Sequence, residues 1–317
     1  MCYGFNGRSA LGRSLTERGV DRRSVLRGAV SGAVGAGLVA AGLAAAPAHA
    51  ASHSTGRPRV PPGLISIQLW TMRDALWGSP GFDDTLRAIA DIGYPKVEQA
   101  LGYFGRTAAE LRAFYDSIGI SATSSHDGIS ANPQALHEKI QNALTLGQSY
   151  LVVPYLNSSS LDDWKRWAEQ MNREADLARS AGLRYGYHNH AHEFTIDLGG
   201  TTPWEVLTAE LDPSLVHLEI DIYWAVTGGI NSGDGADDPE GFTIDVIRSA
   251  PQRVLQYHVK DRHADGGTGD LGSGIIDFAR IFRAHSVLEY IVENDSPDVT
   301  PLRTAEVGYS YLRDLRF

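Results

Sequence analysis

The sequence predicts an α/β protein whose residues 64–317 form a single (β/α)8 barrel, and three observations lead there. Eight apolar runs of strand length alternate with eight helical stretches. The segment "QLWTMRD" after the first strand lacks the Gly-rich phosphate turn that an open doubly wound sheet carries at that point. Neither a second domain nor an internal repeat of roughly 20–50 residues interrupts the alternation.

Taken in order, the first 50 of the 317 residues are expected to stand outside the fold. Arg22 and Arg23 precede a Gly- and Ala-rich run, 29–50, that ends in the small-residue site Ala48-His49-Ala50. The arrangement resembles a twin-arginine (Tat) export signal, Ser/Thr-Arg-Arg-x-Phe-Leu-Lys. Leu26 fits it, whereas Asp21, Val25 and Arg27 depart from it. So much Gly and Ala makes a poor membrane span, which favours a cleaved signal over an anchor. The mature protein is therefore expected beyond the cytoplasm, free of the membrane. Residues 51–63 read as a linker.

Strands follow at 64–70, 96–100, 120–126, 149–155, 184–190, 216–224, 254–261 and 290–296. Helices fall near 82–92, 107–118, 133–146, 161–181, 203–210, 240–250, 277–284 and 301–315. Gly93, Gly119 and Gly182 mark helix ends, while Thr107 and Ser160 suit N-caps. The long segments 227–241 and 262–274, after the sixth and seventh strands, read as loops at the end of a barrel where active sites form.

The chain carries a net charge of −10, and residues 1–50 hold six Arg and two acids, so residues 51–317 stand at −14 with His neutral. That balance argues against nucleic acid or an anionic membrane as partner and suits a neutral small molecule or a cation. Cys2, the single cysteine, precedes the signal, so the mature chain must be held by its core and not by disulfides.

Chemical residues gather at the strand ends. The fifth strand ends in "YHNH", with His188 and His190 two apart on one face, and His192 and Glu193 follow. Alternation likewise pairs Glu219 with Asp221, His258 with Lys260, and Glu293 with Asp295. If these faces point inward, acids and imidazoles converge at the barrel mouth, where they need partners or a cation. Two carboxylates with one or two imidazoles suit a divalent metal. Oxygen donors favour Mn²⁺, and more nitrogen would move the preference toward Zn²⁺ or Co²⁺.

At these residues the sequence resembles the sugar phosphate isomerase/epimerase family, the xylose isomerase-like barrels. "IQLWTMRD" (67–74) is similar to its first-strand Gln-Leu-Tyr-Ser-x-Arg-Asp. "YHNHAHEF" (187–194) is similar to Tyr-His-Asn-His-x-x-Glu-Phe. "LEIDIYW" (218–224) with Gly228-Gly229, "HVKD" (258–261), "LGSGIIDF" (271–278) and "VEND" (292–295) follow in order. The resemblance implies a metal held by Asp221, His258 and Glu293. The family's fifth-strand Glu is missing, and His188, His190 or Glu193 must replace it.

The expected chemistry is proton abstraction next to the carbonyl of a small sugar or polyol, with Glu293 as base, His188 or His190 as partner acid and Lys260 stabilising the developing charge. An acid and a base of different type also suit a lyase acting on a 3-keto sugar. Gln68, Glu98, His126, Glu193 and Trp224 are the candidate substrate contacts, with Trp70, Tyr155 and Tyr223 as further wall. Glu98 otherwise reads as the ion-pair partner of Lys96 or Arg73, and Glu219 as a buried partner for Lys260. Two rivals are a non-catalytic sugar-binding protein and a metal-free glycosidase using Glu98 with Glu293.

Overall fold

The computed structural model describes residues 59–317, so the expected export segment and most of the linker lie outside the described residues. Seven parallel strands come first: β1 (Ile65–Gln68), β2 (Lys96–Gln99), β3 (Ser121–His126), β4 (Tyr150–Val153), β5 (Arg184–His188), β6 (Val216–Asp221) and β7 (Val254–Val259). A short antiparallel pair, β8 (Asp261–Arg262) with β9 (Thr268–Gly269), forms its own small sheet. The eighth barrel strand, β10 (Glu289–Val292), inserts between β7 and β1 and closes the ring. Closure leaves no barrel strand with an unpaired edge.

Helices surround this ring: α1 (Arg73–Trp77), α2 (Phe82–Ile92), α3 (Ala108–Ile118), α4 (Pro133–Leu146), α5 (Leu161–Ser180), α6 (Pro203–Glu210), α7 (Ile222–Ser232), α8 (Pro239–Ser249), α9 (Phe278–Ala284) and α10 (Pro301–Asp314). Each turns an apolar stripe to the strands. Trp164, Ala168, Met171, Ala175 and Ala178 of α5 recur at helical spacing and are all buried. They meet outward-facing strand residues such as Tyr185 and Tyr187, and the continuous core lies in this layer between sheet and helices. No helix among the described residues is long and apolar enough to cross a membrane.

The inside of the barrel is unlike that core. Branched aliphatics usually fill a barrel interior. Here many inward positions are polar, namely Ser66 and Gln68, Glu98, Ser124, His188, His217, Glu219, Asp221, Gln256, His258, Glu289 and Glu293, all buried, beside a small apolar cluster of Tyr150, Val152 and Leu255. Two bulges add to the filling. Register slips of one residue leave Thr123 in β3 and Leu255 in β7 without a ladder partner. Gly186 makes room for the ring of His217, which a Cβ there would meet at 2.5 Å, and His217 Nε2 reaches Gln256 Oε1 at 2.9 Å.

Strand ends differ from expectation where helix signals take over. The fifth strand stops at His188 and the sixth at Asp221, not at His190 and Trp224. Asp221 accepts a hydrogen bond from the Trp224 N–H at 2.9 Å and so starts α7 directly at the end of β6. The segment 227–241 is therefore largely helical and not a loop. Its glycines serve close packing: a Cβ at Gly228 or Gly229 would lie 2.5 Å from the Phe194 or Phe242 ring. The segment 262–274 carries the β8–β9 pair. Asp261 holds it by accepting from the N–H groups of Arg262, Gly272, Gly274 and Ile276.

Glu289, at the start of β10, accepts from Thr123 Oγ1 at 2.6 Å, and burial pushes its carboxyl up to about 7. A raised folded-state value means that the folded protein binds this proton more tightly than the unfolded chain. The contribution is therefore fully present below the ordinary value of 4.5 and is lost as pH rises to about 7. It amounts to at most ~3 kcal/mol. Thermal melts should show the wild type losing stability between these pH values, and Glu289→Gln should give a shallower slope. An unchanged slope would contradict this assignment.

Candidate functional site

His258 is fully buried at the inner face of β7 and stands between two groups of acids. Its Nε2 lies 2.7 Å from Glu98 Oε1 and 3.1 Å from Glu219 Oε1. Its Nδ1 lies 3.2 Å from Glu293 Oε2. On the Nε2 side, His126 Nε2 and His188 Nδ1 also approach Glu219 Oε1, at 2.8 and 3.1 Å. On the Nδ1 side, Lys260 Nζ lies 3.1 Å from Asp221 Oδ2, 2.7 Å from Glu293 Oε2 and 2.6 Å from Asp295 Oδ2. His188 touches both groups, because its Nε2 sits 3.9 Å from Asp221 Oδ2.

Neighbouring side chains hold these residues in place. Gln68 Nε2 and Ser124 Oγ donate to the two oxygens of Glu98 at 2.6 and 2.5 Å. Asn189 Oδ1 accepts from the Asp221 N–H at 3.0 Å and ties the ends of β5 and β6 together. Capping of α7 occupies Asp221 Oδ1 and leaves Oδ2 for the site.

Burial and mutual charge set the protonation of the cluster. For His258, burial favours the neutral ring, but Glu219, Glu293 and Glu98 outweigh it and raise its pKa well above the ordinary value. Burial opposes the Lys260 charge too, yet Asp221, Glu293 and Asp295 hold it firmly protonated. Glu293 would be raised by burial, but Lys260 and His258 hold it well below the usual carboxylate range. Glu219 is likewise held low by His258 and by hydrogen bonds to three imidazoles. Asp221 goes the other way, pushed up to about 7 by burial against the opposing pull of Lys260. Burial pushes His188 down to about 3, aided by the charge of His258, and His190 down to about 2.

Two sets of donors bring their ligand atoms within 4.8 Å of one another: Asp221, His258 and Glu293; and His126, His188, Glu219 and His258. Glu219 Oε2, Asp221 Oδ2 and His258 Nδ1 make no well-aligned hydrogen bond among the described residues. Glu98, Glu219, Asp221, Glu293 and Asp295 surround one lysine and three imidazoles, an excess of acid that a divalent cation would offset. The donors present thus suit such an ion.

Several expectations need correction. Glu193, a candidate ligand and substrate contact in the sequence, has both carboxylate oxygens engaged within the fold. It is fully buried, accepting from Tyr187 Oη at 2.7 Å and from the His190 N–H at 2.8 Å, and it braces the turn after β5. Gln68 is also fully buried and serves Glu98. Glu98 pairs with neither Lys96 nor Arg73. Arg73 instead donates to the carbonyls of Trp70 and Asp295. Glu219 lies one pleat deeper than Asp221 and faces imidazoles, so it is not the partner of Lys260. The ring of His258 stands between Glu98 and Glu293 and fills the space that the acid pair of a two-carboxylate glycosidase would leave for a sugar.

His190 lies outside both donor sets and contacts the rings of Tyr155 and Trp224 at centroid distances of 5.1 and 5.4 Å. Trp70 and Tyr155 are exposed, whereas Tyr223 is buried and donates to the Gly266 carbonyl at 2.7 Å. The sequence places Asn189 at the chemical end of the fifth strand without a role, and it does not single out Ser124. Asn189 had a signal, since it stands between two site histidines; Ser124 had none.

The pattern that defines the xylose isomerase-like TIM barrel family matches residues 86–290, from α2 to β10. The chain belongs to that family. A sugar phosphate isomerase/epimerase from Parabacteroides distasonis ATCC 8503 matches this xylose isomerase-like barrel with a TM-score of 0.64 at 24% identity, over 83% of this chain and 95% of that one. A 3-keto-D-glucoside 4-epimerase from E. coli gives 0.56 at 14% identity, over 80% and 99%. A D-psicose 3-epimerase studied with D-fructose gives 0.55 at 15%, over 78% and 96%. These are likenesses of fold. No curated protein matches the chain by sequence.

Lys260 supplies the one ammonium in this xylose isomerase-like centre and is fully buried. Lys260→Met should cost chelator-treated protein about 3–5 kcal/mol in urea unfolding, because it leaves buried carboxylates uncompensated. A loss under about 1 kcal/mol, the range of exposed ion pairs, would contradict that role.

Proposed function

We propose that this barrel is a divalent-metal-dependent isomerase or epimerase, or a lyase, that removes a proton next to the carbonyl of a sugar or polyol. The observation that carries the proposal is the convergence of Asp221, His258 and Glu293, with His188 Nε2 turned toward Asp221. In this reading His188 takes the place of the glutamate that relatives carry on the fifth strand. His188 is preferred to His190 and Glu193 because its Nε2 lies 3.9 Å from Asp221 Oδ2. Sugar-acting names among fold relatives support the substrate class.

Asp221, His258, Glu293 and His188 would hold the cation, with Mn²⁺ favoured by the oxygen donors. When bound, such an ion polarises a carbonyl and its neighbouring hydroxyl. Glu293 is kept ionised by Lys260 and His258, as a base must be. Lys260 brings a fixed positive charge to the same oxygen and to Asp295, where it opposes the charge that develops on the substrate. Neutral His190, set against Trp224 and Tyr155, is placed to share a hydrogen bond with a sugar hydroxyl while the aromatic rings face the sugar, and its lowered pKa removes it as the partner acid. Export through the Tat pathway belongs to the same proposal and is supported by residues 21–50 alone.

Elemental analysis of folded Asp221→Ala and His258→Ala should show the Mn²⁺ equivalent lost. Full occupancy in both would end the metal assignment. With the metal retained, Glu293→Gln should slow deuterium exchange into a responsive sugar or 3-keto sugar by about 10²–10⁴-fold. Exchange at the wild-type rate would remove Glu293 as the base.

A further inference from the structure

The first strand leads into an exposed aromatic feature that the proposed reaction leaves unused. After β1 the chain passes through a 3-10 turn, Leu69–Met72, straight into α1, Arg73–Trp77. Trp70 and Trp77 stand seven residues apart in this stretch, on one side of it and roughly 10–12 Å apart along its axis. Trp70 is 41% exposed and Trp77 65%, although large apolar rings ordinarily bury most of their surface.

Both rings are held in place. The Trp70 N–H donates to Gln68 Oε1 at 3.1 Å, and Gln68 Nε2 donates to Glu98 inside the site. Arg73 lays its guanidinium 4.8 Å from the centre of the Trp70 ring and donates to the carbonyl of Asp295, whose side chain meets Lys260. Trp70 therefore borders the reaction centre, and Trp77 lies about two turns farther along the helical stretch. The Trp77 ring rests on Phe104 at a centroid distance of 4.5 Å, and Phe104 rests on Phe82 of α2 at 4.5 Å. Phe104, with φ 53°, and Leu101, with φ 66°, are both left-handed, a region that bulky side chains rarely adopt. The loop between β2 and α3 thus keeps a strained shape that props Trp77 on one side while the rest of the ring stays open.

We propose that Trp70 and Trp77 form an extended subsite for the further rings of a neutral oligosaccharide whose terminal ring occupies the reaction centre. The proposal rests on the sugar chemistry proposed above and names the substrate class within it. The span from Trp70 to Trp77 exceeds one sugar ring, so only a substrate of several rings uses both. The apolar face of such a ring stacks on an exposed indole while its hydroxyls stay in water. Charge selects a neutral ligand. Five carboxylates surround the centre, Lys260 is committed to three of them, and Arg73 is committed to the carbonyls of Trp70 and Asp295. A sugar phosphate would bring negative charge beside those acids.

The test titrates the full folded chain with glucose, with cellobiose and cellotriose, with maltose and maltotriose, and with glucose 6-phosphate, reading affinity by calorimetry. In one of the two series affinity should rise about tenfold or more with each added ring. Trp77→Ala should bring the trisaccharide back to the level of the disaccharide, and Trp70→Ala should bring both back to the level of glucose. Trp77→Tyr, which keeps a flat ring, should retain most of the gain. Equal affinity for one ring and three, binding of none of these sugars, a gain that survives Trp77→Ala, or tighter binding of glucose 6-phosphate than of glucose would each overturn the subsite. Deuterium exchange into a keto sugar reads the reaction separately. Exchange without a gain per ring overturns the subsite and leaves the reaction standing. A gain lost in Trp77→Ala, with no exchange into any sugar, supports the subsite and overturns the reaction. Thermal melts confirm that each variant folds. If Trp77→Ala does not, protection of the wild-type Trp77 ring from oxidation by the trisaccharide takes its place, and no protection overturns the subsite.

Discussion

The imidazole of His258, fixed between Glu98 and Glu219 on one side and Glu293 on the other, is the contact on which the site depends. A charged residue at the centre of a barrel is tolerated only if its neighbours are opposite in sign and close. His258 and Lys260 together meet this condition for five carboxylates drawn from three strand ends. Stability has to come from elsewhere, and the apolar layer between strands and helices supplies it. The protein thus separates its two tasks by layer, with cohesion outside the strands and chemistry inside them.

The barrel itself was legible because strand and helix periods differ and alternated eight times. Asp221, His258 and Glu293 were legible for a related reason: a period of two places them on the inward face of neighbouring strands. The partners of Glu98 and Glu219 were not. Glu98 meets His258 across 160 residues of sequence and Glu219 meets His126 across 93, and such contacts depend on how the closed ring brings its strands together. No local pattern encodes that. The helix over Ile222–Ser232 was hidden by its glycines, which ordinarily signal a loop; their role in admitting Phe194 and Phe242 is visible only once those rings are placed.

A histidine at position 188 has a physical logic. A glutamate there would add another acid to a cluster already rich in them. His188 instead presents one nitrogen to Glu219 and the other toward Asp221, so a neutral ring links the two acid groups without adding charge. His190, two residues on, falls beyond the end of β5 and joins the aromatic side chains at the mouth. Three histidines that look alike in "YHNHAH" thus meet three environments. His188 lies within the acid cluster and His190 against Trp224, while His192 bonds the Leu156 carbonyl at 2.7 Å.

Asp221 is committed twice. One oxygen begins a helix, and the other faces Lys260. Asparagine could still start the helix but would bring no charge. Glutamate would bring the charge but would set its oxygens one methylene farther out, too long for the cap. The position therefore tolerates no conservative exchange. The free oxygen is thus one side chain away from the first turn of the helix over Ile222–Ser232. A side chain of four heavy atoms is in effect the joint between the chemistry and the scaffold.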